Sequence, residues 1–161
     1  MINHTFPIFI NKDSKILILG SFPIIKSREL NFYYMHKQNR FYKILTNLFN
    51  EDFYNVPIDQ KKTLLSKYKI ALYDVIEECE INNSNDETIK NVKPSNINQL
   101  IKDTQITHIF INGNKAKELF IKYNKDLINM TTFLPSSSAR NAKMTLEDLI
   151  NKYQVIKQYL N

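Results

Sequence analysis

The fold is decided by the stretch Lys15-Ile16-Leu17-Ile18-Leu19-Gly20, and the same pattern returns in His108-Ile109-Phe110-Ile111-Asn112-Gly113. Each is a short apolar run, rich in β-branched residues, that ends in glycine. This pattern is typical of the carboxyl end of a buried parallel strand. The chain has only two glycines, where average usage predicts roughly eleven, so we expect both at places where a side chain would fit poorly. Ligands of open α/β sheets bind at this edge.

Four apolar runs alternate with helical patterns along the chain. The runs cover residues 16–19, 70–75, 107–112 and 130–134. Helical spacing covers 41–49, 59–68, 97–101, 116–123 and 146–160, and the last of these begins with a predicted capping box of Thr145 and Asp148. Residues 21–38 and 81–95 predict loops. Strands that alternate with helices predict an α/β fold, with a four-stranded parallel sheet covered on both faces.

The composition limits the classes of protein to which the chain can belong. At 161 residues we expect a single domain over 1–161, and 43% hydrophobic with 24% charged residues is ordinary for a soluble protein. No apolar stretch approaches the ~18 residues of a membrane helix, and no signal-peptide pattern is present, so we expect a cytoplasmic protein with no membrane partner. The single cysteine, Cys79, cannot supply the thiolates of an iron–sulfur cluster or a structural zinc site. We therefore expect no metal.

The charge of the chain points to an anionic partner. The formal net charge is +6 and the pI is about 9.3, and nucleic acid is the first candidate for so basic a protein. The alternative is that scattered lysines only solvate the surface of a chain with AT-rich codon bias. The three arginines, Arg28, Arg40 and Arg140, lie in segments that are unusual for other reasons.

The first predicted loop combines aromatic rings, a histidine and a carboxamide. It begins Gly20-Ser21-Phe22-Pro23 and runs to Phe32-Tyr33-Tyr34-Met35-His36-Lys37-Gln38-Asn39-Arg40-Phe41-Tyr42. Flat rings, and an amide that both donates and accepts, are the groups that read a base flipped out of a duplex. The alternative is that the rings belong to the core, that Asn39 is a helix N-cap and that His36 is a structural hydrogen-bonding residue.

Two further polar features follow other strands. Leu134-Pro135-Ser136-Ser137-Ser138-Ala139-Arg140-Asn141-Ala142 comes after the fourth apolar run. Its hydroxyls and backbone N–H groups suit phosphate contacts, and its arginine suits a DNA groove; a plain turn is the alternative. Asp74, near the end of the second run, is expected to face the same crevice unless it caps a neighbouring helix.

In this order, the motifs resemble the hypoxanthine-DNA glycosylase branch of the uracil-DNA glycosylase superfamily. The resemblance rests on Gly-Ser-Phe-Pro at 20–23, Phe-Tyr-Tyr-x-His-x-x-Asn-Arg-Phe-Tyr at 32–42 and Leu-Pro-Ser-Ser-Ser-x-x-Asn-Ala at 134–142. Residues 70–76 and Asn112-Gly113 also fit, so it covers nearly the whole chain. It implies a three-layer α/β/α sandwich around a four-stranded parallel sheet. It also implies a monofunctional DNA glycosylase that needs no cofactor, and we expect a monomer.

The resemblance implies roles for individual residues. It makes Asn39 the catalytic residue. The base pocket would be lined by Gly20, Ser21, Phe22, Pro23, Tyr34, His36 and Asp74. In that pocket the Tyr34 ring would stack on the flipped base and Asp74 would read it. DNA would be held by Ser136, Ser137, Ser138, Arg140 and Asn141.

The expected reaction is hydrolysis of the N-glycosidic bond of a deaminated base in DNA, with hypoxanthine (deoxyinosine) as the first candidate. The alternatives are the same chemistry on mismatched uracil, and a noncatalytic nucleic-acid-binding domain on the same scaffold. Departures from the family pattern at Ile24, Met35, Lys37 and Arg140 leave the base preference open. Lys37 could in principle form a Schiff base with the sugar and add lyase activity. The segment 20–23 has no carboxylate to act as a general base, so we expect slow turnover.

The two glycines differ in this interpretation. A side chain at Gly20 would intrude on the base pocket. Gly113 instead permits the turn into the following helix. Of the two, Gly20 marks the predicted site.

Overall fold

The computed structural model describes residues 1–82 and 85–161. The strands in this part of the chain are β1 (Ile2–Asn3), β2 (Ile16–Gly20), β3 (Ile70–Asp74), β4 (Ile76–Glu80), β5 (Lys90–Pro94), β6 (His108–Asn112) and β7 (Thr131–Leu134). The α-helices are α1 (Ile25–Leu30), α2 (Phe41–Phe49), α3 (Ile58–Lys67), α4 (Ile97–Ile101), α5 (Asn114–Tyr123) and α6 (Leu146–Tyr153). Among the residues described, no helix has the length and apolar character needed to cross a membrane.

A four-stranded parallel sheet of order β3-β2-β6-β7 forms the centre of the described structure. Every residue of β2 is buried, because this strand lies inside the sheet and is covered on both faces. Its side chains alternate between two cores. Ile16 and Ile18 pack in one core with residues of α2, α3 and α6, whereas Leu17 and Leu19 pack in the other with residues of α4 and α5. The predicted three-layer α/β/α fold is confirmed.

The carboxyl ends of the parallel strands meet at one edge of the sheet. Gly20 lies opposite Asp74 in the pairing of β2 with β3, and Asn112 lies opposite Leu134 in the pairing of β6 with β7. Gly113 follows β6 directly and has φ +101 and ψ 166, a backbone conformation essentially restricted to glycine. The predicted role of Gly113 in the turn into α5 is therefore confirmed.

A second sheet, antiparallel and of order β1-β4-β5, was not predicted from the sequence. The loop predicted over 81–95 is wrong where β5 pairs with β4, and Asn83 and Ser84 of that loop lie outside the described residues. These strands carry many charged side chains, so they lack the apolar run of a buried strand. Glu78 lies opposite Lys93, and such facing opposite charges stabilise a strand pair.

The structure also corrects one loop prediction and one helix prediction. The loop predicted over 21–38 contains the six-residue helix α1. The predicted helix over 146–160 is an α-helix only to Tyr153 and continues as a 3-10 helix over Gln154–Tyr159, which keeps Ile156 buried in the same core. The predicted capping box is present: Thr145 Oγ1 accepts from the Asp148 N–H at 3.1 Å, and the Asp148 carboxylate accepts from the Thr145 N–H at 3.0 Å.

Replacing Gly113 with alanine should destabilise the fold. The new Cβ would require φ +101 and would lie 3.2 Å from the Ser136 Cβ, so we expect a loss of about 1–3 kcal/mol in the free energy of unfolding. Chemical denaturation measures this loss. Asn114→Ala, at the exposed next position, is the control and should change stability by less than about 0.5 kcal/mol. Unchanged stability of Gly113→Ala would contradict the turn role.

Candidate active site

A cavity of about 540 Å³ lies at the carboxyl edge of the parallel sheet, a size typical of small-molecule sites. Its wall includes the predicted residues Gly20, Ser21, Phe22, Pro23, Tyr34, His36, Asn39, Asp74, Ser136, Ser137, Ser138 and Arg140. Asn141 instead lines an adjoining hollow, which shares Asn112 and part of the loop after β7 with the cavity. The structure therefore brings the predicted site residues together, while their roles stay predictions.

Asn39 lies in the cavity wall just before α2, and its amide is held through its oxygen. Oδ1 accepts from the Phe41 N–H at 2.9 Å and from the Ser137 hydroxyl at 2.8 Å. A carbonyl oxygen has two lone pairs, so both are used. No described residue accepts from the amide nitrogen of Asn39, which leaves its two N–H groups for the cavity.

Ser137 and Asn112 set the orientation of that amide. The Ser137 N–H donates to Asn112 Oδ1, and Asn112 Nδ2 donates to Ser137 Oγ, both at 3.0 Å. Because Ser137 Oγ receives this N–H, its own proton goes to Asn39 Oδ1. Asn112 and Ser137 are buried, so the three side chains form a rigid chain of hydrogen bonds. Sequence reasoning missed Asn112 as a site residue; a polar side chain that ends an apolar strand is the signal for it.

Arg40 ties the loop after β7 to the start of α2. Its guanidinium donates to the carbonyls of Ser138 at 2.7 Å and Asn141 at 3.0 Å, and also to that of Met144. Its backbone N–H donates to the Ser137 carbonyl at 3.0 Å. Arg40 therefore holds Ser137 against Asn39.

The residues predicted to hold DNA differ in exposure. The Ser137 side chain is buried and its hydroxyl bonds Asn39 inside the protein. Ser136 and Ser138 are half-buried in the cavity wall, and Arg140 is exposed. Their DNA contacts stay predictions, and the structure places the Ser137 hydroxyl behind the candidate catalytic amide.

Tyr34 combines a strained backbone with a buried hydroxyl. Its φ is +58, which costs a non-glycine residue about 1–3 kcal/mol. Its ring stacks on Phe41 with centroids 4.0 Å apart, so Phe41 covers one face, and Tyr34 lines the cavity. The hydroxyl has no hydrogen-bond partner among the described residues. Burial, and then the nearby Asp74 charge, raises the pKa of Tyr34 well above its usual value, so the hydroxyl keeps its proton.

Asp74 is buried in the cavity wall and explains why residue 20 is glycine. A Cβ on Gly20 would lie 2.7 Å from Asp74 Oδ1 and 3.5 Å from the Tyr34 hydroxyl. A side chain at Gly20 would therefore force the Asp74 carboxylate to move, while its Cβ would only touch the Tyr34 hydroxyl. The other carboxylate oxygen, Oδ2, lies 2.8 Å from Nε2 of His4. Sequence reasoning missed His4, because a lone histidine near the N-terminus belongs to no pattern.

His36 and Lys37 are exposed. His36 lines the mouth of the cavity, and its Nδ1 accepts from the Gln38 N–H at 3.1 Å. Lys37 is not part of the cavity wall. This position disfavours a Schiff base between Lys37 and a sugar bound in the cavity.

The family model of the uracil DNA glycosylase superfamily matches residues 7–160. The chain belongs to this superfamily. A relative from Methanosarcina barkeri, described as a hypoxanthine DNA glycosylase, is 32% identical over 145 residues, which are 86% of this chain and 87% of the relative. A second protein of that description, from Methanosarcina acetivorans, is 29% identical over 149 residues, 90% of this chain and 92% of its own length.

The solved structures agree with this assignment. A solution NMR structure of a candidate uracil DNA glycosylase from Methanosarcina acetivorans matches with a TM-score of 0.79 and 26% identity, over 98% of this chain and 99% of that one. The chain is a DNA glycosylase, a hydrolase of N-glycosyl bonds. The predicted family and enzyme class are confirmed, and the noncatalytic alternative is not supported.

Ser137→Ala should lower base excision by this glycosylase by about tenfold, because Asn39 Oδ1 would lose one of two donors that orient its amide. Timed base release from labelled duplexes that carry hypoxanthine or uracil measures the effect. The control is Thr46→Ala in α2, which removes the acceptor of the Phe53 N–H at a distance from the cavity. It should cost stability but not activity. Equal activity of both variants would contradict the orienting role of Ser137.

Proposed function

We propose that this glycosylase removes hypoxanthine from DNA by hydrolysing its N-glycosidic bond, which leaves an abasic site. The observation that carries the proposal is the Asn39 amide, whose oxygen is held by Phe41 and Ser137 and whose N–H groups remain for the cavity. The choice of base is supported by the two relatives described as hypoxanthine DNA glycosylases, at 32% and 29% identity.

DNA binding and base flipping come first. The net charge of +6 attracts the phosphate backbone, and we assign backbone contacts to Ser136, Ser138, Arg140 and Asn141 beside the cavity. Flipping a nucleotide costs a few kcal/mol, and less where the base is mispaired. Hypoxanthine formed from adenine stands opposite thymine as a mispair, so its flipping is favoured. The face of the Tyr34 ring that Phe41 does not cover then stacks on the base.

Bond cleavage places positive charge on the deoxyribose and negative charge on the departing base. Water adds to the sugar carbon, and one of its protons goes to the base or to solvent. Both lone pairs of Asn39 Oδ1 are used by the protein, so this oxygen has none left to accept from the attacking water. Asn39 therefore donates to the leaving base, and the protonated Tyr34 hydroxyl is a second donor. One preorganised donor of this kind contributes about 3–4 kcal/mol in other enzymes.

We propose a cytoplasmic monomer without a metal, an iron–sulfur cluster or another cofactor. The chain has a single cysteine, Cys79, so it can form no disulfide within itself, and its buried thiol suits a reducing compartment. A chelator should then leave the activity unchanged, and a slow turnover is expected because 20–23 contain no general base.

Two variants of Asn39 test the donor role. Asn39→Ala removes the whole amide, whereas Asn39→Asp keeps an oxygen for Phe41 and Ser137 but removes both N–H groups. If Asn39 donates to the leaving base, both variants should lose about 100- to 1,000-fold in rate. Duplexes with a single hypoxanthine, a single uracil or no lesion are incubated with the enzyme and heated in alkali, and strand breaks are counted.

The outcomes separate the alternatives. Wild-type rates for Asn39→Asp would contradict the donor role and make Asn39 a residue that positions water. Faster cleavage at uracil than at hypoxanthine would overturn the proposed base in favour of uracil. Breaks that form without alkali would show a lyase step, which Lys37→Ala would then test.

A further inference from the structure

His4 and Asp74 form a buried pair behind the cavity, with 2% and 6% of their side chains exposed. His4 Nε2 lies 2.8 Å from Asp74 Oδ2, and His4 Nδ1 lies 2.9 Å from the carbonyl oxygen of Phe6. Both ring nitrogens of His4 are therefore in hydrogen bonds with oxygen atoms. No step of the proposed reaction uses this histidine.

These contacts determine how many protons the pair of side chains holds. A carbonyl oxygen only accepts, so Nδ1 donates to Phe6. A neutral ring would then have a bare Nε2, whose lone pair would face a carboxylate lone pair at hydrogen-bond distance. One more proton must therefore lie between Nε2 and Oδ2. The pair is an imidazolium with a carboxylate, or a neutral imidazole with a carboxylic acid.

Imidazole is a stronger base than a carboxylate, so the shared proton belongs on His4 and the pair is charged. The His4 ring packs against Phe6, Phe22, Tyr33 and Tyr73, with centroids 4.6 to 6.0 Å away. Burial, and then the charge of Asp74, raises the pKa of each of three neighbouring tyrosines, so their hydroxyls stay neutral. A buried carboxylate needs a directly bonded counter-charge, which His4 supplies. Among the described residues, the titratable groups next to the pair are Tyr33, Tyr34 and Tyr73, with Glu77 near Tyr73 and Arg28 over the Phe22 ring.

The hydrogen bond between His4 and Asp74 affects which bases the cavity can bind. Oδ2 of Asp74 is bound to His4, while Oδ1 lies in the cavity wall against Gly20 and near the Tyr34 hydroxyl. An ionised Oδ1 only accepts hydrogen bonds. Deamination converts the bare ring nitrogen of adenine into the N–H of hypoxanthine, and that of cytosine into the N–H of uracil. An ionised Asp74 accepts from either product and meets a lone pair on either parent.

We propose that His4 is a positioning and specificity-determining residue: its protonated ring keeps Asp74 ionised and turned so that Oδ1 accepts the ring N–H that deamination creates. The claim that Asp74 reads the base rests on the proposed function, whereas the claim that His4 is protonated does not. Two measurements therefore test the two claims separately.

The first measurement tests whether His4 carries the second proton. NMR of the full chain with 15N-labelled histidine distinguishes a doubly protonated ring from a neutral one, with exposed His36 as the internal reference. His4 should be doubly protonated at neutral pH, and in Asp74→Asn it should become a neutral ring that donates from Nδ1. A neutral His4 in the wild-type protein would overturn the proposal.

The second measurement is discrimination between bases. Excision is compared on duplexes with hypoxanthine or adenine opposite the same cytosine, for the wild type, His4→Phe, Asp74→Asn and Phe6→Leu. His4→Phe keeps an aromatic ring in the cluster but leaves the carboxyl without a counter-charge. We expect its preference for hypoxanthine to fall by about tenfold and its activity to rise with pH, because an unpaired buried carboxyl holds its proton more tightly and releases it only at higher pH.

The controls separate specificity from packing. Asp74→Asn should also lose the preference, because an amide both donates and accepts, but should show no such rise with pH. Phe6→Leu disturbs the same cluster and should keep the preference. An unchanged preference and a flat pH profile in folded His4→Phe would overturn the proposal. If the wild type excises no base from any duplex, the proposed function fails, and the NMR measurement still decides whether His4 carries the proton.

Discussion

Gly20 and Asp74 lie side by side in the parallel pairing of β2 with β3, so close that a Cβ on Gly20 would lie 2.7 Å from Asp74 Oδ1 and force the carboxylate to move. The rest of the site depends on this close approach. It lets a carboxylate and the Tyr34 hydroxyl share the cavity wall without a side chain between them. Because β6 runs parallel to β2, Asn112 ends at the same edge and begins the chain of hydrogen bonds to Asn39. The parallel sheet thus brings an acceptor and a donor to one cavity from segments far apart in the chain.

The centre of the parallel sheet could be predicted from a condition that the sequence shows directly. An inner strand covered on both faces is apolar along most of its length, so residues 16–19 of β2 and 109–111 of β6 stand out from their neighbours. The strands β4 and β5 meet no such condition. Their pairing is stabilised in part by charges that face each other, such as Glu78 and Lys93, and that match appears only once the register is known. A pattern search along the chain therefore finds the first sheet and misses the second.

The site was predictable where residues follow strand ends, and not where contacts join distant segments. Asn39 and Asp74 could be placed at one crevice because carboxyl ends of parallel strands meet. His4 is 70 residues from Asp74 in sequence, and no periodicity connects them. Ser137 shows the same limit. It lies in a run of polar residues that predicts only a turn, but Arg40 binds the carbonyls of Ser137 and Ser138, and the Ser137 hydroxyl donates to Asn39 inside the protein.

Asn39 shows that a capping role and a chemical role need not be alternatives. Its oxygen accepts the Phe41 N–H at the start of α2, as a capping side chain does, and this bond would stabilise the helix in a protein with no activity. The same bond, with that of Ser137, stops the amide from rotating and leaves the nitrogen toward the cavity. A donor fixed in advance needs no reorganisation when charge develops on the base. The orientation that the chemistry requires is therefore supplied by contacts that the fold already needs.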